Sequence, residues 1–454
     1  MKNKAVKLTA LLLAIALLAG CGSVDRGAAG YEIGEERGEK SAGLMDAISA
    51  VFSEPVRETS VGEDSGFTDF DSALIKFLAY GYGERSFLVS PLSFRAALAL
   101  AVVGAEGETK SQLLQLMGFA DEEEMFAWYE ALLRETDAFA AASEREQEWF
   151  EKAMETAEED PLYSVHGTQT ERSFRLVNSI WDNTDLPDEF LDEYLQRAAA
   201  LRAEVFGAPE AELVDAVNAW VNEQTQGMIP RIVEALPGVA AALVNALYLR
   251  TAWEYDFGWA EEDVFTTAQG EEKTMDFMHQ HTDLRYYEDR DTQLVILPMK
   301  GDIKAAFVLG STEDIRGKLD AASWEDVVVT IPKFELETEL QGDAFVIFLQ
   351  THGAGLSTQP DEADFSAMFK ERWVDGEKVT WYIKDVVQKS KIKVDEEGIE
   401  AAAATAIIMA EPGAAPEKDP PKPKIFTADR PFAFYLYSTH GSEPELLFFG
   451  QFMG

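Results

Sequence analysis

The chain has 454 residues, 46% of them hydrophobic, with 82 Asp and Glu against 39 Lys and Arg and a formal net charge of −43. That length and apolar content can fill a large core, and the acidic excess argues against nucleic acid or an anionic polysaccharide as a partner. The only cysteine, Cys21, rules out an intrachain disulfide.

At the start of the chain, Lys2, Lys4 and Lys7 precede an apolar run from Leu8 to Ala19. This is the layout of a secretory signal, and the run is too short for a comfortable bilayer span. Leu18-Ala19-Gly20-Cys21 resembles the bacterial lipoprotein cleavage box, in which the cysteine becomes the lipidated first residue. The expectation is therefore a lipoprotein signal peptide over 1–20, lipidation at Cys21, and a protein either lipid-anchored to a bacterial membrane, facing away from the cytoplasm, or secreted. Residues 21–65 are rich in Gly, Glu, Ser and Asp, with one weak apolar island from Leu44 to Phe52, and read as a flexible acidic tether. From residue 66 to 454 apolar periodicity is dense, over a length that calls for two domains or one large interlocked one.

Helical periodicity is expected over 67–81, 91–103 and 109–117, in acidic helices filling 121–159 and 187–199, and over 211–226. Residues 121–160 alone carry 15 acids and 3 bases. Strand patterns follow at 241–249, 294–298, 305–309, 327–331, 379–387, 432–437 and 446–452. A helical first third followed mostly by strands indicates an α+β fold.

Near the end of the chain lies VDEEGIEAAAATA, residues 394–406. Four alanines are poor strand formers and strong helix formers, yet they lie between an acidic turn and the β-prone pair Ile407-Ile408. Such a run fits a capped helix, a tether, or a segment that must pass through a space too narrow for larger side chains. No GxSxG, HExxH, P-loop or CxxC motif occurs, so no catalytic nucleophile constellation is available and an enzyme is not expected. His279 and His281 alternate by two on one strand face without a third ligand, so neither a metal nor a cofactor is expected. Trp181, Trp220 and Trp253 read as core or sheet-edge packing.

Six segments, in order, resemble the serpin family. They are Ser90-Pro91-Leu92-Ser93 with the helix running to Thr109; Asn218-Ala219-Trp220-Val221 with Thr225, Gly227 and Ile229; Asn245-Ala246-Leu247-Tyr248-Leu249 with Trp253; Ile331-Pro332-Lys333-Phe334; Ala363-Asp364-Phe365-Ser366; and Phe426 to Phe432, FTADRPF. The resemblance implies a serpin domain over 66–454 with a helical first third packed on a large mixed sheet, further smaller sheets, and an exposed reactive loop at about 396–425. It makes Glu396, Glu397, Gly398, Ile399, Glu400, Ala401, Ala402, Ala403, Ala404 and Thr405 the hinge of that loop, which enters the sheet as a new strand after cleavage. Small side chains would let it pass between parted strands, with Ile399, Ala401, Ala403 and Thr405 inward and Glu400 outward.

The resemblance also implies a sheet-opening region at Ser90, Pro91, Ser93, Asn245, Trp253 and Gln388. Three departures stand out. Arg250-Thr251-Ala252 replaces the usual end of its segment, Ile399 stands where the family has Thr or Ser, and Gln388 where many members have His. Counting from Glu396 puts the reactive bond at Pro412, and counting back from FTADRPF puts it at Pro420. The nearest permissive bond is Gly413–Ala414, with Met409, Ala410, Glu411 and Ala415 marking the reserves. The implied partner is a serine protease, elastase-like or subtilisin-like, or else a cysteine protease, trapped by a monomeric inhibitor. The competing reading is a non-inhibitory serpin-fold binding or storage module.

Overall fold

The computed structural model describes residues 61–159, 172–399 and 422–454, apart from 63, 237, 341, 342 and 385. The first part is helical. In α1 (Asp69–Tyr82), Thr68 and Asp71 form a reciprocal capping box. The short strand β1 (Phe87–Val89) leads into α2 (Pro91–Gly104), capped by the Ser90 hydroxyl and opened by Pro91, whose missing N–H costs nothing at that position. Almost every residue of α2 is buried, so it is a central helix packed on all sides rather than an amphipathic one. Next, α3 (Gly107–Met117) ends at Gly118 in the left-handed conformation. The acidic stretch forms one continuous helix, α4 (Glu122–Glu159), because 38 residues contain neither Pro nor Gly to break it.

Then come β2 (Ser173–Asn183), α5 (Asp192–Ala200), β3 (Ala203–Ala208), α6 (Glu210–Gln224) and β4 (Ala241–Ala252). Helix α5 starts later than its periodicity predicts. Phe190 forms a bridge with Phe369, and Asp188 pairs with Arg372 at 2.9 Å, holding residues 187–190 extended. The remaining elements are β5 (Trp259–Thr266), β6 (Glu272–Glu288), β7 (Thr292–Pro298), β8 (Ile303–Gly310), α7 (Ile315–Ala321), β9 (Ser323–Pro332), β10 (Phe334–Leu340), α8 (Asp343–Thr351), β11 (Trp373–Val374), β12 (Glu377–Lys378), β13 (Gln388–Asp395), β14 (Gly398–Ile399), β15 (Lys424–Thr427), β16 (Phe432–Ser438) and β17 (Glu445–Phe452).

Among the described residues of 379–387, where a strand is expected, none is in one, and β13 begins only at Gln388. The aromatic and branched side chains of that stretch serve packing instead. Trp381 stacks on Phe369, and the segment is tied by single bonds from Ile383 N–H to Ser357 C=O and from the Thr380 hydroxyl to Pro360 C=O.

Two sheets organise the fold. One has nine strands, in the order β1-β17-β16-β8-β7-β6-β9-β15, with β5 on the edge of β6. The other runs β10-β13-β14-β4-β2-β3, five long or moderate strands with the two-residue β14 wedged near the middle. Helix α2 lies under this second sheet within a main apolar core that runs from Val61 to Phe452, whereas α6 covers the opposite face through Leu213, Val217 and Trp220 against Val244 and Ala246. The architecture is α+β, and the described residues form one interlocked core with a satellite under α6.

Candidate functional site

The two residues of β14 sit between β13 and β4, pairing antiparallel with both: Ile399 lies opposite Val394 and Thr251, and Gly398 opposite Asp395 and Ala252. Among the described residues no ladder joins β4 to β13 directly. Gly398 is required here on two counts. Its φ is +152°, and a Cβ would stand 2.3 Å from the Thr251 carbonyl oxygen and 2.7 Å from Ala252 Cα. Gly398→Val should therefore push the wedge out of the sheet. Strain of about 1–3 kcal/mol predicts a melting temperature roughly 1–4 °C lower for the intact protein; an unchanged melting curve would show that the wedge is not held as described.

Ile399 buries its side chain, 3% exposed, in a crevice that Leu249, Ile392, Leu436 and Phe448 also line. The departure from Thr or Ser is thus accommodated by an aliphatic pocket, stabilising the inserted start of the hinge by about 1.5–3 kcal/mol. Thr251, part of another departure, contributes through its backbone to the ladder, and its hydroxyl donates to Lys300 C=O at 2.9 Å.

The turn that delivers β14 is clasped by specific bonds. Trp253 donates from its indole N–H to Asp395 C=O at 2.8 Å and from its backbone N–H to Glu397 C=O at 3.3 Å. Glu397 N–H donates to the Asp395 carboxylate, and the Lys333 ammonium donates to Glu396 at 2.8 Å. Burial is the largest single influence on the Glu396 carboxylate and disfavours its charge, but the Lys333 hydrogen bond, a bond from its own backbone N–H and the charges of Lys333 and Lys393 together outweigh it, leaving the pKa below the ordinary carboxylate value. A carboxylate lowered in this way contributes its stabilisation at and above its ordinary titration range and loses it only in more acidic solution, so the clasp is intact at neutral pH.

Further along the seam lies a buried polar network. Ser90 N–H donates to Gln388 Oε1 at 3.1 Å, and Gln388 Nε2 donates back to Ser90 C=O at 2.9 Å. The neutral amide supplies donor and acceptor at once, a pairing independent of pH because Gln does not titrate. The Ser93 hydroxyl donates to Asn245 Oδ1 at 2.7 Å, Asn245 Nδ2 to Asn178 Oδ1 at 2.8 Å, and Asn178 Nδ2 to the Tyr129 hydroxyl at 2.6 Å. The chain links α2 through β4 and β2 to α4, with its polar groups satisfied as burial demands.

Three cavities follow the seam away from Ile399. The first, about 20 Å³, is lined by Leu249, Ile392 and Ile399; the second, about 10 Å³, by Ser93, Asn245 and Gln388; the third, about 460 Å³, by Phe94, Leu98, Leu243, Val386 and Gln388. Between β13 and β10, in contrast, seven residue pairs are in register, and lysines face glutamates across them. Lys389 lies 2.9 Å from Glu337 and Lys391 lies 2.7 Å from Glu335. Hydrogen bonding to Lys389 lowers the Glu337 pKa, and hydrogen bonding to Glu335 raises that of Lys391. Among the described residues β13 is zipped to β10 along its length and pairs on its other side with the two residues of β14, which marks the seam.

The structure thus brings Ser90, Pro91, Ser93, Asn245, Trp253 and Gln388 to one seam with Glu396 to Ile399. Cys21, Glu400 to Thr405, Met409, Ala410, Glu411, Gly413, Ala414 and Ala415 lie outside the described residues. Sequence reading missed Asn178, Tyr129, Lys333 and the lysine–glutamate zipper. A signal for the zipper was present, in glutamates at 335, 337 and 339 and lysines at 389, 391 and 393, both spaced by two.

The family model described as "Serpin (serine protease inhibitor)" matches residues 65–454. An uncharacterized serpin-like protein of Thermococcus kodakarensis is 28% identical over 387 residues, covering 80% of this chain and 79% of the relative. Human Serpin B9 is 26% identical over 415 residues, covering 84% and 96%. The crystal structure of the thermophilic serpin tengpin in its native state matches with a TM-score of 0.68 at 24% identity, covering 88% of this chain and 97% of that one.

Proposed function

The chain belongs to the serpin family, whose relatives are named as protease inhibitors, and from that membership we propose that it inhibits a protease by inserting its cleaved loop into the six-stranded sheet. The observation that carries this reading is the wedge itself: Gly398-Ile399 is laddered to both sides of a seam that β4 and β13 do not close. If the ladder continues in the same register, Ala401 meets Leu249, Ala403 meets Leu247, and Thr405 lands between Asn245 and Gln388, beside the buried polar network. The alanines are then residues that pass through a narrow opening, and the threonine ends beside the buried Asn245 and Gln388 side chains.

In the chemistry, the nucleophilic serine or cysteine of the target attacks a loop carbonyl, the peptide bond breaks, the amine leaves, and an ester or thioester joins the two proteins. Gly413–Ala414 is the proposed bond, in a small-residue context suited to an elastase-like or subtilisin-like enzyme. Insertion before water hydrolyses the ester carries the acylated enzyme along the sheet and traps it. The inhibitor itself provides no catalytic group. The test is to mix the protein without its tether with elastase-like, subtilisin-like and trypsin-like proteases. An SDS-stable covalent complex and a cut near residue 413 are expected; cleavage without any complex would refute inhibition and favour a binding or storage module.

The sequence around Cys21 supports placing this inhibitor on an extracytoplasmic membrane face as a monomeric lipoprotein, with 21–65 as its tether. Labelled fatty acid should enter the full-length protein and be lost completely in Cys21→Ser. Persistence of label in that variant would remove the lipid anchor from the account.

A further inference from the structure

We propose that the cavity of about 460 Å³ at the far end of the seam is a binding site for a neutral, planar hydrophobic molecule. Strand β14 runs antiparallel to both β4 and β13, so those two strands run the same way and start at the same end of the sheet. The wedge lies near their finish, at Thr251 and Val394, and the cavity near their start, at Ala241 and Gln388. Three segments wall it. Helix α2 forms the floor, with Phe94, Ala97, Leu98 and Ala101 spaced to share one helix face. The chain entering β4 forms one side, aliphatic through Val239 and Leu243. The chain leading to β13 forms the other, aromatic through Phe365, Phe369 and Trp381. The space exists because that chain leaves the line of β13, Trp381 stacking on Phe369 with ring centroids 4.8 Å apart instead of entering a strand.

The lining selects the ligand. Leu236, Leu243, Trp381 and Val386 are apolar yet only half-buried, and a contiguous uncovered apolar lining marks a place of binding. Water is a poor occupant, because the buried polar side chains described here are already engaged. Ser93 is bonded to Asn245, Gln388 to Ser90, and Asp188 to Arg372 at 2.9 Å. That last pair neutralises itself, and Lys384, the other charged residue described in the lining, is exposed to water, so a ligand needs no charge to enter. An aromatic side opposite an aliphatic one favours a flat ring system, which stacks on one and packs against the other. The volume falls in the range of roughly 300–1,000 Å³ that encloses a drug-sized molecule. A ligand touching both sides ties together the starts of β4 and β13, and so stabilises the arrangement of that end of the sheet.

N-phenylnaphthylamine, a neutral planar probe whose emission rises on leaving water, tests the site in the full-length protein. One saturable site is expected, with backbone hydrogen exchange slowed by the probe at 379–387 and 239–245. Ala97→Phe fills the cavity from α2. Leu243→Trp fills it from β4, since residue 243 shares the pleat face on which Asn245 meets Ser93. Each should weaken binding about tenfold or more, and where one variant fails to fold the other carries the comparison. The sulfonated analogue anilinonaphthalene sulfonate and the acyl chain of palmitate should both bind the parent about tenfold more weakly than the neutral probe. Equal affinity in the parent and a folded cavity-filling variant would overturn the site, as would protection confined to other segments. The absence of saturable binding, expected if a segment of the chain already fills the space, would overturn it too. Sulfonate or palmitate binding as tightly as the neutral probe would overturn the ligand class. None of these readouts involves a protease, so the site stands or falls independently of inhibition.

Discussion

Thr405→Arg should turn the protein from an inhibitor into a substrate, whereas Glu400→Arg should inhibit nearly as well as the parent. The register set by Ile399 opposite Thr251 and Val394 brings Thr405 to Asn245 and Gln388, on the side of the sheet that faces α2. That station is closed by Ser93 and Ser90, both buried and already bonded to Asn245 and Gln388. No acidic side chain lines the adjoining crevice, so an arginine there would be desolvated without a partner, at a cost of several kcal/mol. A barrier raised by even about 4 kcal/mol slows insertion by roughly a thousandfold, which lets hydrolysis of the acyl-enzyme win. On insertion in this register residue 400 would take the opposite parity to Ile399, away from α2, so its charge would stay hydrated. The measurement is the number of inhibitor molecules consumed per enzyme, expected near one for the parent and Glu400→Arg and above about ten for Thr405→Arg. Equal values for the two variants would refute alternate burial.

Cutting the loop should raise the melting temperature by more than about 10 °C. Each inserted residue bonds to strands on both sides, and a net gain of about 1 kcal/mol per hydrogen bond over some ten residues exceeds 10 kcal/mol. For a domain of this size, roughly 1 kcal/mol corresponds to a little over 1 °C. Among the described residues β14 is only two residues long and β4 and β13 form no ladder with each other, so the seam is where the cut loop can add strand pairing. Scanning calorimetry of intact and nicked protein makes the comparison; coincident transitions would mean that the cut loop stays outside the sheet.

Several of these features were legible in the sequence because they depend on short local signals. Ser90-Pro91 reads as a helix start, and it is one; Trp253 stands out by its place in a family segment and Gln388 as a departure from the family's His, and both sit at the seam. Other features were hidden because they depend on partners distant in sequence. Residues 379–387 have strand composition, but their aromatic and branched side chains answer to Phe369 and the loop at 357–360 rather than to a neighbouring strand. Asn178 reads as an ordinary polar residue until β2 places it against Asn245 and Tyr129. Ile399 reads only as a departure from the family's Thr or Ser, and its fit is seen once the aliphatic crevice around it is in place. Gly398 carried its signal openly, though its cause, the close approach of the Thr251 carbonyl, is tertiary.

Backbone hydrogen exchange in the intact and loop-cleaved protein tests insertion at the seam most directly. Residues 400–408 should exchange freely before cleavage and become protected after it, together with the facing stretches of β4 over 243–250 and β13 over 388–393. Protection should grow to that of the β10–β13 ladder, which is zipped in both states. Free exchange of 400–408 in the cleaved protein, with β4 and β13 unchanged, would contradict the account.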